Sequence, residues 1–238
     1  MAPRDGILLL ASFLCGSIPF GLLLARAKGI NIRAIGSGNI GATNVGRALG
    51  QKFFILCLLL DALKGLIPVL VAGWVLGGLG DWTPPVQVSW LWLGCAACAV
   101  LGHVFCPWLK FKGGKGVATS LGAFLGVFPV MTAAVLGAAA IFFIALRTTR
   151  YMSLASIAAA AGLPVCVMGV HILGYVHRIR ESRLPFDPSE CVHAIFGTGR
   201  PFVVVAAAMG LLVIWAHRAN LRRLKAGTEP RFGAIRPS

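Results

Sequence analysis

The segment KFKGGKGVAT, residues 110–119, places three lysines and three glycines between two long apolar stretches of the chain. Residues 88–105 precede it, and a largely apolar stretch, residues 116–146, begins at its end. A helix needs about 20 consecutive apolar residues to cross a bilayer. The segment is therefore predicted to be a polar loop between membrane-spanning helices.

The composition of the whole chain indicates membrane insertion. Of the 238 residues, 58% are hydrophobic and 12% are charged, whereas a soluble domain is about half apolar and a quarter charged. The net charge of +15 does not indicate nucleic-acid binding, because the basic residues lie at the ends of apolar segments. We predict one membrane-embedded domain, residues 1–238. Its other apolar stretches are 7–25, 53–77, 154–174 and 201–217.

The basic residues predict how the chain is oriented. Residues 26–52 carry five Lys and Arg and no acidic residue, which is typical of a cytoplasmic loop. The N-terminus is then outside, and residues 110–115 return to the cytoplasmic side after two further crossings. Within the second span, Asp61 and Lys64 share a helix face and are predicted to pair toward the protein interior.

Residues 116–146 determine the number of spans, because they are too long for one untilted helix and short for two. Two crossings, with breaks at Gly126 and Pro129, give seven helices and place sixteen of the 22 Lys and Arg in the cytoplasm. One crossing gives six helices and places the basic tail, residues 218–238, outside, which the positive-inside bias disfavours. We therefore predict an all-α protein with seven transmembrane helices, an external N-terminus and a cytoplasmic C-terminus. Polar residues 175–200 are predicted to be an external loop.

A loop rich in glycine and hydrogen-bonding side chains, residues 36–47, lies on the predicted cytoplasmic side. Small residues allow a ligand to approach the backbone, and the polar side chains offer directional hydrogen bonds to a phosphate or carboxylate. The alternative is a flexible loop of turn residues. The candidate ligand-binding residues are Ser37, Gly38, Asn39, Thr43, Asn44 and Arg47.

Residues 110–119 form a second candidate anion site, because glycine amides and lysine charges both bind oxyanions. The pattern is not a nucleotide-binding Walker motif, which needs Gly-Lys-Ser/Thr at the end of a longer loop. Lys110 is predicted to contact lipid head groups instead. His103 is either a base or phosphate donor, or a hydrogen-bonded structural histidine. The candidate residues are Lys112, Gly113, Gly114, Lys115, Gly116 and Thr119.

Two further polar pairs lie on the predicted cytoplasmic side. Ser153 and Ser156 share a helix face, although serines at a helix start often only cap it. His217 and Asn220 share another face, ahead of a basic run suited to an anionic leaflet. No cluster of carboxylates indicates Mg²⁺ binding, so we predict neither a metal nor a cofactor.

Six motifs carry a resemblance to a known family. They are GSIPFG (16–21), SGNIGATN (37–44), DALKG (61–65), GHVFCPWLKFKGGKGVAT (102–119), YMSLAS (151–156) and HRANLRRLKAGTE (217–229). Together they resemble the PlsY family of bacterial acyl-phosphate:glycerol-3-phosphate acyltransferases. The resemblance implies a multi-pass enzyme of the bacterial inner membrane, with its active site toward the cytoplasm. It would transfer a fatty acyl group from acyl phosphate to the 1-hydroxyl of sn-glycerol 3-phosphate, giving lysophosphatidic acid and inorganic phosphate. Segment 175–200 is longer than the family pattern suggests.

The resemblance also implies roles for individual residues. Ser37, Arg47, His103 and Lys115 are expected to be catalytic, and all of the candidates except His103 are expected to bind a substrate or its phosphate. We expect the glycerol hydroxyl to attack the acyl phosphate directly, with its proton passing to His103 or to a substrate phosphate oxygen. The alternatives are a transporter or channel for a phosphorylated metabolite, and a noncatalytic lipid-binding protein; matching inverted repeats would indicate transport.

Overall fold

The computed structural model describes residues 2–232, and their regular secondary structure is helical throughout, as the predicted all-α class requires. The last residues of the predicted basic tail, 233–238, lie outside this range. The chain divides into two compact units. The first is Met1–Gly80 with Trp90–Phe128, and the second is Asp81–Ser89 with Pro129–Ser238.

The helices follow the apolar stretches of the sequence. Those that lie in the first unit or enter it are α1 (Pro3–Gly16), α2 (Phe20–Arg26), α3 (Ala42–Leu49), α4 (Gln51–Leu76), α5 (Val86–Val104) and α6 (Val117–Leu125). Those of the second are α7 (Val130–Thr149), α8 (Met152–Ser182), α9 (Pro188–His193), a π-helical turn (Ala194–Thr198), α10 (Arg200–Ala216) and α11 (Arg218–Lys225).

Five segments of the described chain are long and apolar enough to cross a membrane, and the bent pair around α10 gives a sixth if it is one span. The chain is thus a multi-pass helical membrane protein. The remaining predicted span, the first of the two crossings in residues 116–146, corresponds to α6. Its nine residues reach about 14 Å, about half the thickness of the hydrocarbon core. The five segments are Pro3–Arg26, Gln51–Leu76, Val86–Leu109, Val130–Thr149 and Met152–Ser182.

The first predicted span, residues 7–25, is interrupted and is not the single helix expected. It consists of α1 and α2 with a break at residues 17–19. Pro19 has no N–H to donate, and a proline disfavours helical backbone in the residue before it. The carbonyls at the break bond to side chains elsewhere in the unit: Ser17 accepts from Cys106 Sγ at 3.1 Å, and Ile18 accepts from Lys64 Nζ at 2.6 Å.

The predicted break at Gly126 and Pro129 is confirmed, because α6 ends at Leu125 and α7 begins at Val130. Helix α6 packs closely on α4 through glycines. A Cβ atom at Gly122 would collide with the Ala62 carbonyl, and one at Gly65 with the Thr119 carbonyl. Each helix therefore approaches the backbone of the other at one of its own glycines.

Residues 175–200 are mostly helical, so the predicted loop is corrected. Helix α8 continues to Ser182, and α9 and the π-helical turn follow. Residues 175–182 are polar but still favour a helix, and His177 Nε2 lies 3.3 Å from Glu181 Oε1 one turn along. The Tyr175 hydroxyl donates to the Asp187 carbonyl and accepts from its N–H, both at 2.9 Å. The fall in hydropathy at residue 175 marks a change of side-chain character, not a helix end.

Candidate active site

The loop before α3 is organised by the buried side chain of Asn44. Its Oδ1 accepts from the Ser37 N–H at 3.1 Å, and its Nδ2 donates to the carbonyls of Ile32, Ile35 and Asn39 at 2.9 to 3.2 Å. All of its amide hydrogens are therefore directed at backbone carbonyls. Asn44 holds the shape of this loop, and a direct contact with substrate stays a prediction.

The other candidates of this loop are more accessible. Ser37 and Arg47 are exposed, and Thr43 and Gly38 are half-buried. The side chain of Asn39 accepts from the Gly41 N–H at 2.8 Å, which leaves its amide hydrogens available for other partners. The loop therefore presents hydroxyl, amide and guanidinium donors on a backbone that Asn44 fixes.

Arg33 connects this loop to the glycine-rich segment. Its guanidinium donates to the Lys112 carbonyl at 2.5 Å. The two predicted phosphate-binding segments, which are far apart in sequence, are therefore neighbours within the first unit. The sequence prediction did not include Arg33, although it lies only a few residues before Ser37 and is basic, as an anion site requires.

Gly113 and Gly114 allow close packing against His103, and their backbone N–H groups are already hydrogen-bonded. The Gly113 N–H donates to the Val104 carbonyl at 3.0 Å, and the Gly114 N–H donates to the His103 carbonyl at 3.1 Å. A Cβ atom at Gly114 would collide with the His103 imidazole, and one at Gly113 with the His103 carbonyl. Both N–H groups are thus engaged within the protein, and a phosphate-binding role for these two glycines stays a prediction.

The start of α6 retains the features of an anion site. Gly116 has φ +82° and begins the helix, and the first N–H groups of a helix have no partner within it. Such a terminus favours negative charge. Lys115, which precedes Gly116, is half-buried. Thr119 is completely buried where α6 packs against α4. A phosphate-binding role for Thr119 stays a prediction.

His103 lies beneath the glycine-rich segment at the end of α5. It is 4% exposed, its ring packs against Gly114, and its Nδ1 lies 3.8 Å from Asp61 Oδ1. Asp61 in turn forms the predicted ion pair with Lys64, at 2.8 Å. The imidazole therefore lies between a buried carboxylate and the backbone of the glycine-rich segment.

A separate polar cluster in the second unit is centred on the Glu229 carboxylate. Its Oε1 accepts from Ser153 Oγ at 2.8 Å and from Asn220 Nδ2 at 2.6 Å, and its Oε2 accepts from Arg223 Nε at 2.8 Å. Burial raises the pKa of this carboxyl, but the three hydrogen bonds lower it, and the net result is a pKa below the ordinary value of 4.5. Glu229 is therefore ionised at neutral pH and joins the starts of α8 and α11.

The other two candidates of the second unit bond to backbone carbonyls. Ser156 Oγ donates to the Met152 carbonyl at 2.8 Å, and His217 Nδ1 lies 2.8 Å from the Val213 carbonyl. This contact orients the His217 ring. The sequence prediction missed Glu229 as an organising residue, although it is the single acidic residue on the predicted cytoplasmic side.

Within residues 2–232 no group of three or more His, Cys, Asp or Glu is arranged to hold a metal ion. In the loop before α3 and at the start of α6, the polar groups that gather are cationic side chains, hydroxyls, amides and glycine backbone. Groups of this kind bind anions and stabilise developing negative charge. The fold and these groups define a multi-pass membrane protein with candidate anion-binding sites at its helix ends.

Comparison with known proteins identifies the family. A family model described as glycerol-3-phosphate acyltransferase matches residues 6–227. The glycerol-3-phosphate acyltransferase of Geobacter sulfurreducens is 46% identical over 229 residues, which cover 96% of this chain and 97% of that protein. That of Geobacter metallireducens is 47% identical over 230 residues, with the same coverage.

Solved structures agree. The crystal structure of PlsY, an integral membrane glycerol 3-phosphate acyltransferase, in its glycerol 3-phosphate form has a TM-score of 0.73 and 34% identity, and the match covers 97% of this chain and 96% of that one. The lysophosphatidic acid form has a TM-score of 0.72. The chain belongs to the PlsY-type glycerol-3-phosphate acyltransferase family.

Proposed function

We propose that this chain transfers the fatty acyl group of an acyl phosphate to the 1-hydroxyl of sn-glycerol 3-phosphate, producing lysophosphatidic acid and inorganic phosphate. Membership of the family supports the acceptor, and the two forms of the similar PlsY structure support the acceptor and the product. The observation that carries the proposal in this chain is the Arg33–Lys112 hydrogen bond, because it brings two segments suited to phosphate side by side.

The proposed reaction needs no protein nucleophile, because acyl phosphate is already an activated donor. The glycerol hydroxyl oxygen attacks the acyl carbonyl carbon, the bond from that carbon to the bridging oxygen breaks, and phosphate leaves. Negative charge develops on the carbonyl oxygen and on the leaving phosphate. Fixed cations that face these oxygens stabilise the transition state, and Arg47, Lys112 and Lys115 are the proposed cations.

One phosphate is proposed to bind at the start of α6. The amides of the first turn and Lys115 face an anion there, and Gly116 allows the sharp entry into the helix. Ser37 and Asn39 of the neighbouring loop are proposed to donate hydrogen bonds to the second phosphate. In the second unit, substrate contacts of Ser153, Ser156, His217 and Asn220 are proposed from the family resemblance.

His103 is proposed to shape the glycine-rich segment and not to remove the hydroxyl proton. Its burial and its packing against Gly114 support this role. The proton passes instead to a phosphate oxygen of the substrate. We expect His103→Gln to keep kcat within about tenfold of wild type while raising the KM for glycerol 3-phosphate. A loss of about a thousandfold in kcat, with the protein still folded, would assign the base role to His103.

The protein is further proposed to lie in the inner membrane of a bacterium with seven spans, an external N-terminus and a cytoplasmic active site. The distribution of basic residues supports this orientation. In this arrangement α6 is a short crossing, packed on α4, that returns the chain to the outer side before α7.

A defined assay tests the proposal. Purified protein is given palmitoyl phosphate and glycerol 3-phosphate, and both phosphate release and lysophosphatidic acid are measured. We expect the two products in equal amounts, and neither when glycerol 3-phosphate is omitted. Palmitoyl-CoA replaces the donor in a parallel reaction. Equal rates with palmitoyl-CoA, or phosphate without lysophosphatidic acid, would overturn the proposed donor or the proposed transfer.

A further inference from the structure

The buried Asp61–Lys64 pair on α4 has no part in the chemistry proposed above. Both residues are at most 3% exposed, and Lys64 Nζ lies 2.8 Å from Asp61 Oδ1. Removing two charges from water costs several kcal/mol for each ion, and apolar replacement of such a pair is often neutral or stabilising. Stability alone therefore does not account for a charged pair at this place.

Lys64 connects the pair to the break in the first span. Its ammonium group donates to the Ile18 carbonyl at 2.6 Å and lies 5.8 Å from the centre of the Phe20 ring. These two residues flank Pro19, where the helix hydrogen bonds are interrupted. Lys64 therefore fixes α4 to the carbonyl that the break leaves without a helical partner.

Asp61 connects the same pair to His103. Its Oδ1 lies 3.8 Å from His103 Nδ1, and its Oδ2 lies 3.7 Å from Cys57 Sγ. His103 Nδ1 is buried and makes no hydrogen bond within residues 2–232. A shift of about 1 Å would bring it to hydrogen-bond distance of the carboxylate. The opposite ring nitrogen, Nε2, is the atom that a side chain at Gly114 would strike.

We propose that Asp61 and Lys64 are a positioning pair for His103 and, through it, for the glycine-rich segment. The Asp61 carboxylate holds the proton of the imidazole on Nδ1 and fixes the ring orientation, because a carboxylate beside one ring nitrogen selects the tautomer with its N–H there. Lys64 fixes the carboxylate against the first span. The ring edge bearing Nε2 then supports Gly114 and sets the path of the chain into α6.

The tautomer of His103 tests the proposal without any catalytic activity. The protein has five histidines, and ¹⁵N-histidine spectra of wild type and His103→Gln identify the His103 signals by difference. We expect the proton on Nδ1 in wild type. In Asp61→Leu/Lys64→Met, which removes both charges together and leaves no buried charge unpaired, we expect the proton to move to Nε2 or to exchange between the two nitrogens. An unchanged His103 signal in this double variant would overturn the proposal.

Kinetics test the functional consequence, which rests on the proposed acyl transfer. We expect the double variant to fold with normal yield and melting temperature, and to raise the KM for glycerol 3-phosphate by about 10- to 100-fold. Adding His103→Gln to it should cause no further loss, because the pair acts through the histidine. The positioning role would be rejected if adding His103→Gln multiplied the loss of the double variant. It would also be rejected if the double variant kept the wild-type KM.

Cys57→Ala is the matched control, because its thiol faces the other carboxylate oxygen and not His103. It should keep the wild-type KM and the wild-type His103 signal. A loss equal to that of the double variant would mean that any change around Asp61 disturbs the site, and would overturn the specific role. Inactive wild-type protein with the expected tautomer shift would refute the proposed reaction and leave the positioning pair supported.

Discussion

At the residue scale, Glu229 is a carboxylate whose ionisation stabilises the fold. Its pKa lies below the ordinary 4.5, because its hydrogen bonds outweigh the effect of burial. A depressed folded-state pKa contributes stability above the unfolded value, and this contribution is lost as the pH falls through the folded value. The bonds of Glu229 to Ser153, Asn220 and Arg223 should therefore weaken below about pH 4.5.

Glu229→Gln keeps the shape but removes the charge that Arg223 contacts. We expect it to lower the free energy of unfolding by about 1.5–3 kcal/mol at pH 7, the range for hydrogen bonds to charged groups. The melting-temperature difference from wild type should shrink as the pH falls below about 4.5. Glu190→Gln, at an exposed position, is the control and should not alter the melting temperature at either pH. A Glu229→Gln effect that is constant with pH would contradict the role of ionisation.

Two lysines of the glycine-rich segment distinguish an anion site from a lipid contact. Lys115 is half-buried at the start of α6, whereas Lys110 is exposed. We expect Lys115→Gln to reduce kcat/KM by about 100-fold or more, because it removes a charge from the proposed phosphate site. Lys110→Gln should retain near-normal turnover. The two variants are compared by phosphate release at equal amounts of membrane-inserted protein, and equal effects would contradict the distinction.

Contacts between residues could be predicted from the sequence where their spacing on one helix places them together. Asp61 and Lys64, three apart on one helix, pair as expected. Contacts between distant segments could not be predicted in this way, and the Arg33 bond to Lys112 and the Ser153 bond to Glu229 are of this kind. Asn44 was recognised as polar and placed with the ligand-binding residues, but the sequence did not reveal that its amide would hold the loop.

At the scale of elements, the α4–α6 contact depends on Gly122. A Cβ atom there would collide with the Ala62 carbonyl, and backbone atoms yield less than side chains do. We expect Gly122→Ala to destabilise the protein by about 1–3 kcal/mol and to lower activity, because α6 carries the proposed phosphate site. Gly169→Ala, at a helical glycine with open space around it, is the control. It should leave activity unchanged and should not lower the melting temperature, because alanine favours a helix over glycine.

Helix boundaries were predictable where breakers interrupt an apolar run, as at Gly126 and Pro129. The break at residues 17–19 was missed, because the apolar run continues through Pro19 and the carbonyls it frees are satisfied by distant side chains. The sequence predicts too early an end for α8, because polar residues continue this helix to Ser182. The hydropathy of a segment reflects whether its side chains face lipid or water. The length of a helix depends instead on how far its backbone hydrogen bonds continue.

At the scale of the whole molecule, the proposed seven-span topology would place residues 175–200 outside and the tail inside. Cys191 in α9 is partly accessible, so a membrane-impermeant maleimide should label it in spheroplasts and should not label Cys191→Ser. A protease site appended to the C-terminus should be cut only after permeabilisation. The opposite pattern, with the tail reached from outside and Cys191 protected, would indicate six spans.

The proposed acyl transfer from acyl phosphate to glycerol 3-phosphate breaks the bond between the acyl carbon and the bridging oxygen of the donor. The most direct measurement uses palmitoyl phosphate with ¹⁸O at the bridging oxygen, followed by mass spectrometry of both products. Attack by the glycerol hydroxyl on the acyl carbon predicts one phosphate carrying the label for each unlabelled lysophosphatidic acid. Label retained in the fatty acyl product, or phosphate released without lysophosphatidic acid, would contradict the account.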